Sequence, residues 1–320
     1  MTPPPPYLLA AALALDLILG DPRWYPHPVV LIGRLISGLE RWLRRSGWNG
    51  YGGGVVLCLL TVIGTAVTGW GILHCCRLLH PALEAAAALL IAWNCLALRS
   101  LHRESALVAQ ALHRGDLVQA RGFLSYIVGR DTGNLDETAI WRATIETVAE
   151  NSSDGVIAPL FWLAVGGPVA ALAYKAASTL DSMVGYRDEQ YQRLGWASAR
   201  LDDLLNLLPA RLTALAMILV APLVGLSTPG SWQIWRRDHR NHPSPNSGHP
   251  EAAAAGALGV QLGGPSCYQG IRKLKPLLGD PLRPCDATAY RGMIRLLYGA
   301  AGLTALCGIA ATAFWRQHGL

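Results

Sequence analysis

Five stretches of this chain carry no charged side chain: residues 55–73, 85–98, 156–174, 212–235 and 296–315. About 20 apolar residues in a helix cross a hydrocarbon core of ~30 Å, and a helix satisfies its own backbone where no water can. That restricts the fold more than any other feature. The chain is 52% hydrophobic and only 15% charged, with a mean hydropathy of +0.28, which is outside the range of an ordinary soluble enzyme. The pattern predicts an all-α, polytopic membrane protein with four or five transmembrane helices and helical soluble loops. The spans are expected near 55–73, 81–98, 156–174, 212–230 and 296–315, in one membrane domain over 1–320. A soluble helical insert is expected over 99–155 and a polar loop over 236–295.

The first helix is a different case. Four prolines precede about 13 apolar residues that Asp16 interrupts, with no basic region or small-residue cleavage site ahead of it. It reads as a packed or partly inserted helix and not as a cleaved leader. Residues 34–45 form an amphipathic helix with Leu35, Ile36, Leu39, Trp42 and Leu43 on one face and arginines on the remainder, suited to the membrane surface. Asn134-Leu135-Asp136-Glu137 has the form of a capping box and predicts a helix from about residue 135 to 150. Gly166-Gly167-Pro168 should break the third span in its middle, which leaves a full crossing and a re-entrant segment both open. Little in the chain signals β-structure. The seven cysteines include no CxxC pair, so neither a disulfide framework nor a zinc cluster is expected.

The net charge of +6 is unevenly placed. Residues 227–295 hold nine Lys/Arg against four acids, residues 20–52 five against two, and residues 99–155 six against eight. The positive-inside rule therefore puts 20–52 and 227–295 in the cytoplasm. No nucleic-acid-binding motif accompanies the basic excess, so nucleic acid is excluded as a partner. Mononucleotide P-loops, dinucleotide fingerprints and the nucleophile elbow are missing as well.

Four polar constellations stand beside the apolar runs. In the first, Gly20-Asp21-Pro22 makes a turn, Trp24 and Tyr25 suit an interface, and His27 is held between two prolines. In the second, Arg142, Glu146 and Glu150 share a helix face that then breaks into Asn151-Ser152-Ser153-Asp154-Gly155. Carboxylate and amide oxygens so concentrated are hard ligands for Mg²⁺, although a salt-bridged solvated face would look alike. The third runs from Lys175 and Asp181 to Arg200, Asp202, Asp203 and Asn206. Asp202 and Asn206 fall on one helix face, with Asp203 about 100° away. Acids beside an apolar span are costly unless paired or bound to a cation. The fourth is Arg240 to Glu251, a proline-stiffened loop with His242, Asn246, His249 and Glu251, in which the prolines exclude a regular helix from His242 to His249. Metal binding by the two histidines with Glu251 is one use; hydrogen bonding to phosphate or carboxylate, beside Arg236, Arg237 and Arg240, is the other.

In this order the constellations resemble the CobD/CbiB family of cobalamin biosynthesis, the adenosylcobinamide-phosphate synthases. The pieces that carry the likeness are Gly20-Asp21-Pro22, Pro26-His27-Pro28-Val29, Glu146-Thr147-Val148-Ala149-Glu150-Asn151, Asp154-Gly155-Val156, Thr179-Leu180-Asp181-Ser182, Arg200-Leu201-Asp202-Asp203 and His242-Pro243-Ser244-Pro245-Asn246-Ser247-Gly248-His249-Pro250-Glu251. The resemblance implies a multi-pass enzyme of the bacterial cytoplasmic membrane. It implies ATP-driven amide formation between adenosylcobyric acid and (R)-1-amino-2-propanol O-2-phosphate or the free aminopropanol, with ATP as co-substrate and Mg²⁺. Membrane lipid and other late membrane enzymes of the pathway are the expected neighbours. Set against that chemistry, Glu146, Glu150, Asp154, Asp202 and Asp203 form the pool of metal ligands. Asp21, His27, Arg142, Asn151, Lys175, Asp181, Arg200, Asn206 and Arg240 are the substrate- and phosphate-binding set. His242 or His249 would act as base, oriented by Asn246 and Glu251. A membrane transporter would usually show two similar halves, and none is present. A non-catalytic membrane partner leaves the His-Pro-Ser-Pro-Asn loop without a use. A lipid phosphotransferase would need a signature that this chain lacks.

Overall fold

A computed structural model describes residues 4–21, 27–186, 188–268 and 270–319. The turn at Pro22 and the interfacial anchors expected at Trp24 and Tyr25 lie outside the described residues. Five helical runs are long and apolar enough to cross a membrane: Tyr51–Leu79, Pro81–His113, Glu137–Val184, Trp196–Val224 and Ala287–His318. The architecture is all-α and polytopic, as the uncharged stretches predict. The described cysteines are all free thiols.

Contacts divide the chain into two compact units. The first comprises Met1–Ala97, Ala158–Asn206 and Ala305–Leu320, the second Leu98–Ile157 and Leu207–Thr304. Within the first unit, α1 (Pro6–Leu19) and α2 (Pro28–Arg45) precede the long α3 (Tyr51–Leu79) and α4 (Pro81–Cys95). α3 packs on α4 and on α8 (Ala158–Val184), and α2 also lies on α8. His80 caps α4 by accepting from the Ala82 amide at 3.1 Å, with Pro81 in the first turn where its missing N–H costs nothing. α8 does break where Gly-Gly-Pro predicted: Gly167 sits at φ 70°, ψ −166° inside the helix. On α2, Ile32, Ile36 and Leu43 face inward while Leu35 and Trp42 stay exposed, so the expected apolar face is only partly used by the protein itself.

In the second unit, α5 (Leu98–His113) and α6 (Leu117–Ser125) lead to α7 (Glu137–Asn151). The expected helix is present, but its cap is Asp136, whose side chain accepts from the Ala139 amide at 2.7 Å, and not Asn134. An aspartate one residue before the helix meets the first free amides directly, which displaces the capping box. The expected break after Glu150 is also corrected. Ser152–Ile157 continue as a π-helical turn into α8, so the polar run stays wound.

The second unit goes on through α9 (Trp196–Val220), which begins in the first unit, to α10 (Thr228–Asp238), α11 (Gly248–Leu258) and α12 (Ala287–His318). α11 is buried along its whole length. It reaches α10 so closely that a Cβ on Gly230 or Gly256 would overlap the other's backbone oxygen, and the alanines around Gly256 serve the same close packing. Between α11 and α12 the chain forms an antiparallel hairpin, β1 (Leu262–Tyr268) with β2 (Ile271–Leu278), where the sequence suggested only a polar loop. The register slips between Leu262 and Gly264, a bulge made feasible by Gly263 at φ 86° and Gly264 at φ 85°.

Candidate functional site

The strongest concentration of buried charge is in the second unit, where α7, the loop before α11 and the hairpin meet. Glu146 on α7 is buried, with 2% of its side chain exposed. One oxygen pairs with the Arg130 guanidinium, and the other accepts the Gly263 amide at 2.7 Å. The bulge explains that second bond, because it turns a backbone N–H away from the ladder and toward the helix. Arg130 also donates to Ser266 Oγ at 3.2 Å, and the Asp131 amide bonds the Cys267 carbonyl at 2.8 Å. The segment before α7 thus clamps the hairpin from the side. Burial would lower the Arg130 pKa, but Glu146 outweighs it and the guanidinium is held above its ordinary value.

One turn on, Glu150 accepts from Ser247 Oγ at 2.9 Å. Ser244 Oγ receives the amides of Asn246 and Ser247, both at 3.2 Å, which closes the Pro-Ser-Pro-Asn-Ser loop on itself. Pro250 then lies in the first turn of α11, so the proline-rich stretch ends as a helix that carries His249 and Glu251. His242 remains outside the helix, as the prolines require. Its Nδ1 accepts the Ser244 amide at 3.1 Å, and its Nε2 faces Glu251 Oε1 at 3.8 Å. Neither of those two facing atoms has a hydrogen-bond partner among the described residues.

The distance would suit an ion pair, yet the environment argues for two neutral groups. Burial pushes the Glu251 carboxyl well up, reinforced by Glu150 and Glu146, and burial pulls the His242 imidazole down. Since Nδ1 takes the Ser244 N–H, the network assigns the proton to Nε2, aimed at Glu251. Lys275 of β2 supplies a counter-cation. Burial would lower it, but Glu251 and Glu146 keep its ammonium above the usual lysine value. Three carboxyls, one imidazole and two cations therefore share one electrostatic environment, which is what charge-separating chemistry uses.

His249 has a different role. Its Nδ1 accepts from Trp235 Nε1 at 2.9 Å, and its ring lies 4.6 Å from that of His239. Burial, Arg211 and His239 lower its pKa to about 4. It does not join His242 and Glu251 as a ligand set. Arg240, also expected to bind phosphate, is exposed on the turn after α10. Asn246 is buried, and its carbonyl accepts the His249 amide at 3.0 Å, so it shapes the loop that presents the histidines.

The other expected residues of this unit separate from the cluster. Arg142 makes no ion pair with Glu146; its guanidinium lies toward Gly264 and Cys285. Asn151 donates to the Thr147 carbonyl at 3.0 Å, and Asp154 is half-buried on the π-helical turn.

The first unit holds the remainder. Asn206 donates to Asp202 at 3.1 Å, as their shared face predicts, and accepts from the Tyr174 hydroxyl at 2.9 Å. Asp203, on a different face, lines a cleft of about 250 Å³ with Arg200 and Tyr186. His27 Nδ1 caps α2 by accepting the Val29 amide at 3.2 Å, while Nε2 faces Asp21 at 3.5 Å. Lys175 and Asp181 are half-buried on α8. Among the described residues no three His, Cys, Asp or Glu side chains are arranged to hold a metal ion.

Sequence reasoning missed Arg130, Lys275 and Ser247 as site residues. Arg130 lies outside every motif, and its only sequence mark is a lone cation before a capped helix. Lys275 belongs to a hairpin whose strands do not alternate.

A family model described as CobD/CbiB protein matches residues 9–297. The Cobalamin biosynthesis protein CobD of Pelobacter propionicus is 60% identical over 316 residues, 99% of this chain and 98% of that protein. That of Geobacter metallireducens is 59% identical over 95% of this chain and 96% of its own length. The Cobalamin biosynthesis protein CbiB of Salmonella arizonae is 45% identical, over 94% and 95%. No solved structure matches the chain. With a family model over nearly its full length and relatives this similar end to end, the chain belongs to the CobD/CbiB family.

Proposed function

We propose that this chain acts in cobalamin biosynthesis as a membrane ligase. It would join the free propionate of adenosylcobyric acid to (R)-1-amino-2-propanol O-2-phosphate, or to the free aminopropanol, with hydrolysis of ATP. The relatives' names support the pathway. The observation that carries the chemistry is the buried meeting of Glu146, Glu150 and Glu251 with Arg130, Lys275 and His242.

A carboxylate does not condense with an amine in water unless it is activated. Transfer of the terminal phosphoryl of ATP to the propionate gives an acyl phosphate and ADP. The amine then adds to the acyl carbon, phosphate leaves, and the amine's proton passes to a base. Phosphoryl transfer of this kind is governed by positioning and charge stabilisation. Both oxygens of Glu146 are committed to Arg130 and Gly263, so Glu146 anchors the hairpin and through it Lys275. Glu150 is the better placed to reach a cation. Mg²⁺ would be held there by one or two carboxylates, with phosphate oxygens and water completing its shell, a mode that needs no preformed protein cage. It would supply charge neutralisation at the phosphates. His242 would take the amine proton at Nδ1, in place of the Ser244 amide, while its Nε2–H donates to Glu251 across the 3.8 Å gap, which a ligand can close. Arg240, in the same unit as this cluster, is the phosphate-binding cation of this reading. By the positive-inside rule the basic excess in 20–52 and 227–295 would put these loops on the cytoplasmic side of the bacterial inner membrane, where other late membrane enzymes of the pathway would be neighbours.

The test is incubation of detergent-purified protein with adenosylcobyric acid, aminopropanol phosphate, ATP and Mg²⁺, following the corrinoid mass. A mass gain equal to the amide, lost without ATP, is expected. Turnover unchanged in Asp202→Ala would remove Asp202 from the metal pool. Folded protein that yields no product would overturn the ligase reading.

A further inference from the structure

A cleft of about 1100 Å³ opens in the second unit beside the buried cluster. That exceeds the ~300–1,000 Å³ usual for a drug-sized ligand. Its wall carries Arg211 of α9, Trp232, Trp235 and Arg236 of α10, Arg240 of the following turn and His242. Among the described residues no carboxylate lines it. A fourth arginine on the wall, Arg237, is neutralised, because it grips Asp238 at 2.7 Å and Asp280 at 2.8 Å. Arg211, Arg236 and Arg240 form no ion pair among the described residues. Arg236 instead lies 5.8 Å above the Trp232 ring, and Arg211 donates only to the Leu207 carbonyl of its own helix. Three uncompensated guanidinium groups facing one concavity repel one another, and an arrangement of that kind is stabilised by an anion that accepts from several of them.

The apolar part of the cleft is equally specific. The Trp232 and Trp235 rings meet at 5.2 Å and 48°, forming a corner with two indole faces. A planar ring stacks on such a face, and phosphates extend from it toward the arginines. His242 also lines the cleft, and its Nε2 faces Glu251 at 3.8 Å. A ligand with its ring against the indoles and its phosphates along the arginines would bring its far end to the carboxylate cluster.

We infer that this cleft is a binding site for a nucleoside triphosphate, with Arg211, Arg236 and Arg240 on the phosphates and Trp232 or Trp235 on the base. The place rests on the chemistry of the cleft; the choice of nucleotide rests on the ligase reading above. A phospholipid headgroup offers the same phosphate but no ring for the indole corner.

The experiment uses the full chain in detergent and the non-hydrolysable analogue adenosine β,γ-imidotriphosphate, with affinity read by calorimetry. R236Q/R240Q alters exposed side chains, so its melting profile should match the unaltered protein while affinity falls at least about tenfold, as loss of charge-assisted contacts dictates. W232L should weaken binding several-fold, and R45Q, on α2, should leave it unchanged. Equal affinity in R236Q/R240Q overturns the assignment. So does failure of the analogue to bind while phosphatidylglycerol vesicles quench the tryptophans in an Arg236- and Arg240-dependent way, which would make the cleft a lipid site. Turnover separates the two readings. If amide forms and R236Q/R240Q keeps its KM for ATP, the cleft assignment fails and the ligase stands. If the analogue binds through these arginines but no amide forms, the cleft stands and the ligase fails.

Discussion

Replacing Glu146 with Gln isolates the charge in the most buried ion pair of the second unit. Gln keeps the volume, and its carbonyl can still accept the Gly263 amide, so the hydrogen bond to the hairpin survives. The Arg130 side chain is only 9% exposed, and without Glu146 its guanidinium keeps only the Ser266 hydroxyl as a hydrogen-bond partner among the described residues. Removing one partner of such a pair typically costs about 3–5 kcal/mol, mostly through the stranded charge. Removing both charges should cost much less. In the double variant Glu146→Gln/Arg130→Met, methionine fills part of the arginine stem's volume and Gln still satisfies Gly263. The double variant should therefore be no less stable than Glu146→Gln alone, with a coupling energy of about 2 kcal/mol or more between the sites. Denaturant titration in mixed micelles, read by tryptophan fluorescence, measures this as a shift in midpoint at constant slope. A loss under about 1 kcal/mol in the single variant, or two losses that simply add, would refute the claim that this pair holds the hairpin to α7.

Three further outcomes follow from the same geometry. Glu251 titrates above an ordinary carboxyl, so the stability present below the ordinary value is given up as pH rises toward the raised one; Glu251→Gln should be more stable than the unaltered protein at pH 8 yet inactive in amide formation. Equal stability of the two at pH 8 would contradict a neutral Glu251. His249 titrates near 4 in the folded protein against about 6.5 unfolded, so its contribution is complete above pH 6.5 and shrinks as pH falls toward 4; an upper bound is about 3 kcal/mol, and His249→Gln should flatten the melting profile over that window. Gly263→Ala should destabilise by more than a surface substitution and loosen the hairpin, since φ 86° and the Pro276 carbonyl leave no room for a Cβ; limited proteolysis at the 268–271 turn would show it.

The spans were readable because the bilayer demands long uncharged runs, and such runs are visible without any knowledge of packing. The proline-rich loop and the α7 carboxylates were readable because their polar groups sit beside those runs with no obvious solvent role. What sequence could not supply was pairing across distance. Arg142 stands at helical spacing from Glu146 and looks like its partner, but Arg130 takes that place because the chain before α7 folds back along the hairpin. Lys275 could not be placed because β2 has seven of its eight residues at least partly exposed, and no alternation announces a strand. The Asp136 cap shows the same limit on a smaller scale. Two competing N-cap signals two residues apart differ only in which residue adopts extended backbone, and the chain settles that locally.

The bulge at Gly263 also has a consequence for how the protein is made. Glu146 is synthesised 117 residues before the amide that clasps it, and Lys275 follows later still. While the ribosome works through α8, α9 and α10, the acid on α7 has Arg130 at hand but neither Gly263 nor Lys275. The cluster becomes electrically complete only when the hairpin emerges and closes that long loop. A nascent chain arrested before β1 would therefore keep α7 exchanging its amide protons quickly, and one arrested after β2 would not.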